Sequence, residues 1–235
     1  MSQSPWQPIS PPKPPRPAKE PLTRDRIVDA AMRLIVEHGY DAVSMRKIAQ
    51  ELGTGPASLY AHVASKSELN QLLVDRAAAQ MKLGGRPDPG RWQEQLKDYM
   101  REMLRVMRAN PGVARAAIGQ VPLGEQALLG NEKLLGILKA GNLPDQAAAW
   151  AADLIPLYVT AVAFEETVQN ASAWTPEDVA RFVGEMRAYF EGLPAERFPL
   201  TVALASALTA GTGHDERFEF ALSVITAGLA AMAED

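Results

Sequence analysis

The chain has 235 residues, 47% apolar and 22% charged, with a formal net charge of −4. This composition belongs to a folded globular protein with room for one large domain or two modest ones, and it excludes disordered, collagen-like and disulfide-stapled chains. With no cysteine, disulfides, zinc-thiolate sites, iron–sulfur clusters and cysteine nucleophiles are excluded too, which fits a reducing cytoplasm.

An acidic chain argues against a generic nucleic-acid or anionic-membrane binder, since both rely on excess Lys and Arg. The charge, however, is unevenly spread. Residues 1–21 carry eight prolines and a net charge of +2, residues 22–82 carry +1, and residues 83–235 carry −7. The first stretch reads as a disordered, basic, polyproline II-like tail without the apolar core of a signal peptide. Its Lys13, Arg16 and Lys19 are candidates for contact with nucleic-acid backbone.

No alternating strand pattern of useful length occurs, so the fold class is all-α. Thr23 is a helix N-cap, followed by Ile27, Ala30, Ala31, Leu34 and Ile35 on one face and a stop at Gly39. Ser44 caps a second, two-turn helix through Met45, Ile48, Ala49 and Leu52, which ends at Gly53. A short helix then spans roughly 56–63, with Pro56 in its first turn. Ser65-Lys66-Ser67-Glu68 is a capping-box pattern that opens a longer helix through Leu69, Leu72, Leu73, Arg76 and Met81.

Ala49, Gly53 and Leu59 have the spacing of a helix-turn-helix, with a small residue at the crossing, a turn glycine and an apolar plug. Any three-helix bundle can share that spacing. The exposed content of the second short helix, Thr54-Gly55-Pro56-Ala57-Ser58-Leu59-Tyr60-Ala61-His62, is more specific. It is small and hydroxylated where a solvent-facing helix would carry Glu and Lys. A helix entering a major groove gains from close approach, hydroxyls for base edges, and Tyr and His for phosphate oxygens. The helix N-termini at Ser44 and Ser65 add positive dipole ends beside Arg46 and Lys66.

Residues 23–69 resemble the DNA-binding domain of the tetracycline-repressor (TetR) family, through Gly39-Tyr40, the run Arg46 to Gly53, and Ser58-Leu59-Tyr60-Ala61-His62-Val63 followed by Lys66. The resemblance implies that Arg46 and Thr54, Gly55, Pro56, Ala57 and Ser58 read bases. It implies that Tyr60, His62 and Lys66 clamp phosphates. Ser44 joins this candidate DNA-binding set through its helix N-terminus, where a backbone phosphate could dock. Ala61 departs from members that have an aromatic residue there.

Gly84-Gly85-Arg86-Pro87-Asp88-Pro89-Gly90 is the clearest break. It divides a reading head, 22–82, from a larger helical effector-binding and dimerisation domain, 83–235. Beyond it, residues 91–108 place Trp92, Leu96, Tyr99, Met100, Met103, Leu104 and Met107 on a wide apolar stripe. The methionines Met100, Met103 and Met107, with Tyr158, are candidate walls of a pocket for varied apolar ligands, and plain core packing is the competing reading. Helices follow at roughly 111–119, 124–140 and 145–171. The last holds an apolar run, Ala147 to Phe164, which its Asp153 and Pro156 mark as a buried helix kinked at Pro156 rather than a membrane span.

Thr175-Pro176-Glu177-Asp178 opens a helix to Gly192, a short helix covers about 196–209, and a last one begins around Asp215. Its broad apolar arc, with Phe218, Leu222, Ile225 and Leu229, pairs with Ala151 of the 145–171 helix in an expected four-helix dimer interface. Burial within one subunit is the alternative. His214-Asp215-Glu216 reads as loop, and Asn170-Ala171-Ser172 as a chance sequon.

No catalytic or phosphate-loop motif occurs, and no cofactor or metal is implied. The sequence thus predicts a homodimeric DNA-binding regulator, a repressor acting on a palindromic operator and released by a small-molecule effector. A helical small-molecule-binding protein with a protein-docking N-terminal domain is the alternative.

Overall fold

The computed structural model describes residues 21–171, 174–210 and 214–233. The tail with Lys13, Arg16 and Lys19, residue Ser172 of the sequon and the side chain of His214 lie outside the described residues. Every regular element among the described residues is helical, so the chain is all-α.

The N-terminal helices are α1 (Arg24–His38), α2 (Met45–Glu51), α3 (Pro56–Tyr60) and α4 (Lys66–Ala78). Thr23, Ser44 and Ser65 each cap with the side-chain oxygen, accepting the N–H of Arg26, Lys47 and Glu68. At Ser65 the box closes differently from the expected form. The Glu68 carboxylate accepts the N–H of Ala64 at 2.7 Å, one residue outside the cap. Gly53 ends α2 in the left-handed region, at φ 60°, while the N–H of Thr54 reaches the carbonyl of Ala49 at 2.9 Å. This pairing closes a Schellman turn that any Cβ-bearing residue would strain. Ile27, Ile48, Ala49, Leu59, Val63, Leu69 and Leu73 meet in one core. α4 ends at Ala78, short of Met81, which packs beyond the helix.

The C-terminal part comprises α5 (Trp92–Ala109), α6 (Val113–Ala117), α7 (Glu125–Ala140), α8 (Asp145–Ala171), α9 (Pro176–Glu191), α10 (Pro199–Ala203), α11 (Ala205–Leu208) and α12 (His214–Ala230). The single helix expected near 196–209 is two short ones broken at Leu204, and Asp215 and Glu216 lie in the first turn of α12 rather than in a loop. α8 runs unbroken through Pro156. By length and composition α8 could cross a membrane, yet Ala148, Ala151, Ile155 and Val159 pack in the core with Leu96 and Met100 of α5 and Leu134 and Leu138 of α7.

Packing continues across the 83–90 linker. Ala116 of α6 is buried in the N-terminal core. A Cβ on Gly112 would stand 2.5 Å from Ile35 and 3.1 Å from Tyr40, so α6 begins in contact with α1. Ser67 donates to Gln120 at 3.0 Å and Gln71 to the carbonyl of Val121 at 3.3 Å, adding further ties between α4 and the segment after α6.

Candidate nucleic-acid interface

α2 and α3 are short, and both are held by their buried sides. Leu59 is the buried residue of α3, and Ile48 and Ala49 anchor α2. This leaves Gly55, Pro56, Ala57, Ser58 and Tyr60 exposed on α3 and its N-terminus, with Thr54 and His62 half-buried at its ends. A Cβ on Gly55 would meet nothing within 4 Å, so the backbone here is open to close approach. Ser44 and Arg46 are exposed at the start of α2. The Ser44 hydroxyl accepts the N–H of Lys47 at 3.3 Å. The Arg46 guanidinium and the Tyr60 hydroxyl make no hydrogen bond or ion pair among the described residues, and both remain available to a ligand.

Lys66 differs from the free phosphate clamp that the resemblance implies. Its ammonium donates to the carbonyl of Val43 at 3.2 Å and lies 4.4 Å from the centre of the Tyr40 ring. Burial pushes its pKa below the usual lysine value, against the opposing pull of Asp41. Tyr40 in turn donates its hydroxyl to Asn70 at 2.8 Å. Lys66 therefore helps fix the turn between α1 and α2 onto α4.

The sequence reading missed two framing residues. Arg24 donates to the carbonyl of His62 at 2.9 Å and pairs with Glu68 at 3.0 Å, joining the start of α1 to the end of α3 and the start of α4. On α4, Arg76 binds both Asp25 and Asp29 of α1, at 2.5 and 2.7 Å. These ion pairs lie between residues distant in sequence, so only the charge types were visible there.

In the C-terminal part, Met100 and Met107 are buried in the core, while Met103 and Tyr158 are half-buried against it, with Tyr158 stacked on Phe218 at 6.1 Å between ring centres. A cavity of about 240 Å³ lies instead at the α4–α5 joint and has Tyr99 and Ile137 among its lining; none of those four residues faces it.

The residues expected at a subunit interface are also placed differently. Ala151, Phe218, Leu222 and Leu229 are buried in the protomer's own core, and Ile225 packs against it. Among the apolar residues left exposed are neighbours of these around each helix: Trp150, Leu154 and Leu157 on α8, and Phe220 and Val224 on α12. Both helices are apolar on two sides, and the first side is used internally.

Three elements of this body are clamped by charge. Arg108 of α5 makes a two-pronged bond to Glu166 of α8, at 2.7 and 2.8 Å, and a third to Asp215 of α12 at 2.7 Å. The bonds to Glu166, with those to Asp215, hold the guanidinium pKa above its usual value. Arg101 reaches Glu219 at 2.7 Å, and Arg217 pairs with Glu165. Among the described residues no cluster of three His, Asp or Glu side chains could hold a metal ion.

Residues 86–233 match the family profile described as Tetracyclin repressor-like, C-terminal domain, and residues 27–71 match that of Bacterial regulatory proteins, tetR family. The chain is 30% identical over 221 residues to the HTH-type transcriptional repressor DrrR1 of Streptomyces coeruleorubidus, covering 92% of this chain and 80% of that protein. It is 41% identical to Streptomyces coelicolor ActR in its complex with actinorhodin, with a TM-score of 0.82 over 92% of this chain and 100% of that one. Apo ActR superposes with a TM-score of 0.80 at the same 41% identity, over 91% of this chain and 97% of that one.

Proposed function

The chain belongs to the TetR family of bacterial regulatory proteins, and from that membership we propose a homodimeric transcriptional repressor that grips a pseudo-palindromic operator and releases it when a small molecule binds its C-terminal part. The observation that carries this reading is the α2–α3 unit, whose one buried face is fixed by Ile48, Ala49 and Leu59 and whose other face is small, hydroxylated and open. Arg46 and the stretch Thr54, Gly55, Pro56, Ala57 and Ser58 are assigned to base edges. Ser44, Tyr60 and His62 are assigned to phosphates, with Lys66 reaching one only while it also braces Tyr40. Two such units about 34–36 Å apart meet successive major grooves.

The second stripes of α8 and α12 support the dimer. Trp150, Leu154, Leu157, Phe220 and Val224 are exposed apolar residues on helices that already bury another face, and a second copy of the same two helices covers them in a four-helix contact. α9 adds exposed Phe182 and Tyr189 without burying any residue of its own.

Actinorhodin bound to the similar ActR supports a ligand-binding role for residues 86–233, with Met100, Met103, Met107 and Tyr158 as the adaptable wall that parts to admit the effector. Release requires the effector to favour the DNA-incompetent state, by about 1–3 kcal/mol in typical cases. Such a regulator works in the cytoplasm, alongside the chromosome.

Selection of bound fragments from sheared genomic DNA tests the reading. A short inverted repeat enriched by the wild type and lost with Arg46→Ala is expected. Recovery of unrelated fragments in proportion to their length would favour the protein-docking alternative.

A further inference from the structure

The cavity of about 240 Å³ at the α4–α5 joint is walled by the linker at Gly84 and Gly85 on one side and by α5 and α7 on the other. Its floor is apolar, made of Met81, Leu83 and Ile137. Its acceptors are already engaged. The side-chain oxygen of Gln95 receives the N–H of Asp88 at 2.8 Å, and Glu102 receives the N–H of Lys82 at 2.7 Å and the Arg105 guanidinium. Asp98 is bound by Arg101 at 2.9 Å. Each carboxylate in the lining thus has its own arginine.

Among the donors, the Lys133 ammonium is bonded to the carbonyl of Gly85, and the Lys82 charge is attracted to Glu102 without a hydrogen bond to it. The Arg91 guanidinium and the Tyr99 hydroxyl make no hydrogen bond or ion pair among the described residues. Tyr99 is only 8% exposed, and burial pushes its phenol up to about 12, so at neutral pH it remains a proton donor. Charged donors at the mouth of an apolar floor favour a ligand that brings both acceptors and hydrocarbon. The volume is below the roughly 300 Å³ at which drug-sized pockets begin, so the occupant is a small molecule of one or two rings.

We propose that this cavity binds a small amphipathic carboxylate, an aromatic or alicyclic acid whose ring lies on Met81, Leu83 and Ile137 and whose acceptors meet Lys82, Arg91 and Tyr99. The site is separate from the methionine face assigned to the effector, and the proposal stands on binding alone, whatever the DNA does.

Isothermal titration of the full chain with 1-naphthoate, and with uncharged 1-naphthalenemethanol as the matched probe, tests it. Naphthoate binds, the alcohol binds at least about tenfold more weakly, the Lys82→Gln/Arg91→Gln double variant loses about tenfold or more for naphthoate, and Met103→Leu changes nothing. Both substituted cations are exposed, so the double variant folds, which circular dichroism verifies. Failure of naphthoate to bind, equal binding of the alcohol, or wild-type affinity in the double variant overturns the proposal. Operator affinity read on the same samples without probe reports separately on the regulator reading.

Discussion

The carboxylate of Asp75 on α4 accepts the backbone N–H of Gln126 in the first turn of α7, at 2.8 Å, and the same oxygen takes the N–H of Ala127 at 3.0 Å. The N-cap of α7 is Gly124, which offers no side-chain oxygen of its own. The helix that carries the reading head therefore caps a helix of the effector body, and any change in the tilt of α4 relative to α7 costs that cap.

Asp75→Ala should lower stability by about 1 kcal/mol, the usual cost of a lost cap. Gly124→Ala places a Cβ 2.2 Å from the same carboxylate oxygen, so it should also destabilise, and less so in the Asp75→Ala background. A double-mutant cycle by urea denaturation measures that non-additivity, and strict additivity would show that the two residues do not share a constraint.

Arg46→Ala and Lys66→Ala should separate recognition from framework. Arg46 is exposed and unbonded, so its loss leaves thermal unfolding unchanged and costs about 1–3 kcal/mol of operator affinity, relaxing preference at one base pair. Lys66→Ala removes the bond to Val43 and the contact with Tyr40, so thermal stability falls along with affinity for all sequences.

Glu166 is 7% exposed and receives both prongs of Arg108. Arg108→Ala leaves that carboxylate buried without its cation and should cost about 1–3 kcal/mol in chemical denaturation. Glu166→Gln, which keeps an acceptor and removes the charge, should cost less.

The bond from Arg105, with that from the N–H of Lys82, lowers the Glu102 carboxyl from 4.5 to about 2. A group whose folded pKa is depressed stabilises the fold above its unfolded value and loses that contribution as pH falls through the folded one. Melting temperature should therefore fall more steeply between pH 4.5 and pH 2 in the wild type than in Glu102→Gln.

Leu157→Glu and Phe220→Asp alter exposed apolar residues, so each should leave helicity intact and convert the proposed dimer to monomer in sedimentation velocity. Leu222→Asp, in the protomer core, should instead unfold the chain.

The helices were legible in the sequence because their punctuation is local: Thr23, Ser44, Ser65 and Thr175 at N-termini, and Gly39, Gly53 and Gly192 at C-termini, all act within a few residues. The small, hydroxylated composition of the exposed α3 face was legible for the same reason, since the missing charges of 54–62 lie in one short stretch. Side selection on α8 and α12 was not. A 3.6-residue period shows that Phe218 and Leu222 share a face, and likewise Phe220 and Val224, but not which face meets the chain's own core. Long-range bonds were equally hidden: nothing near Glu125 in sequence announces that its helix is capped by Asp75, except the absence of a capping side chain at Gly124.

The central claim is that the α2–α3 unit reads an operator, and fluorescence anisotropy of a labelled inverted-repeat duplex against a scrambled duplex at physiological salt tests it most directly. Two chains per duplex and a preference of about 10³-fold or more for the inverted repeat are predicted, with the preference narrowed by Arg46→Ala and a modest salt slope per subunit, given the few cations on the reading face. Equal affinity for the two duplexes, or an Arg46→Ala variant that discriminates as well as the wild type, would contradict the account.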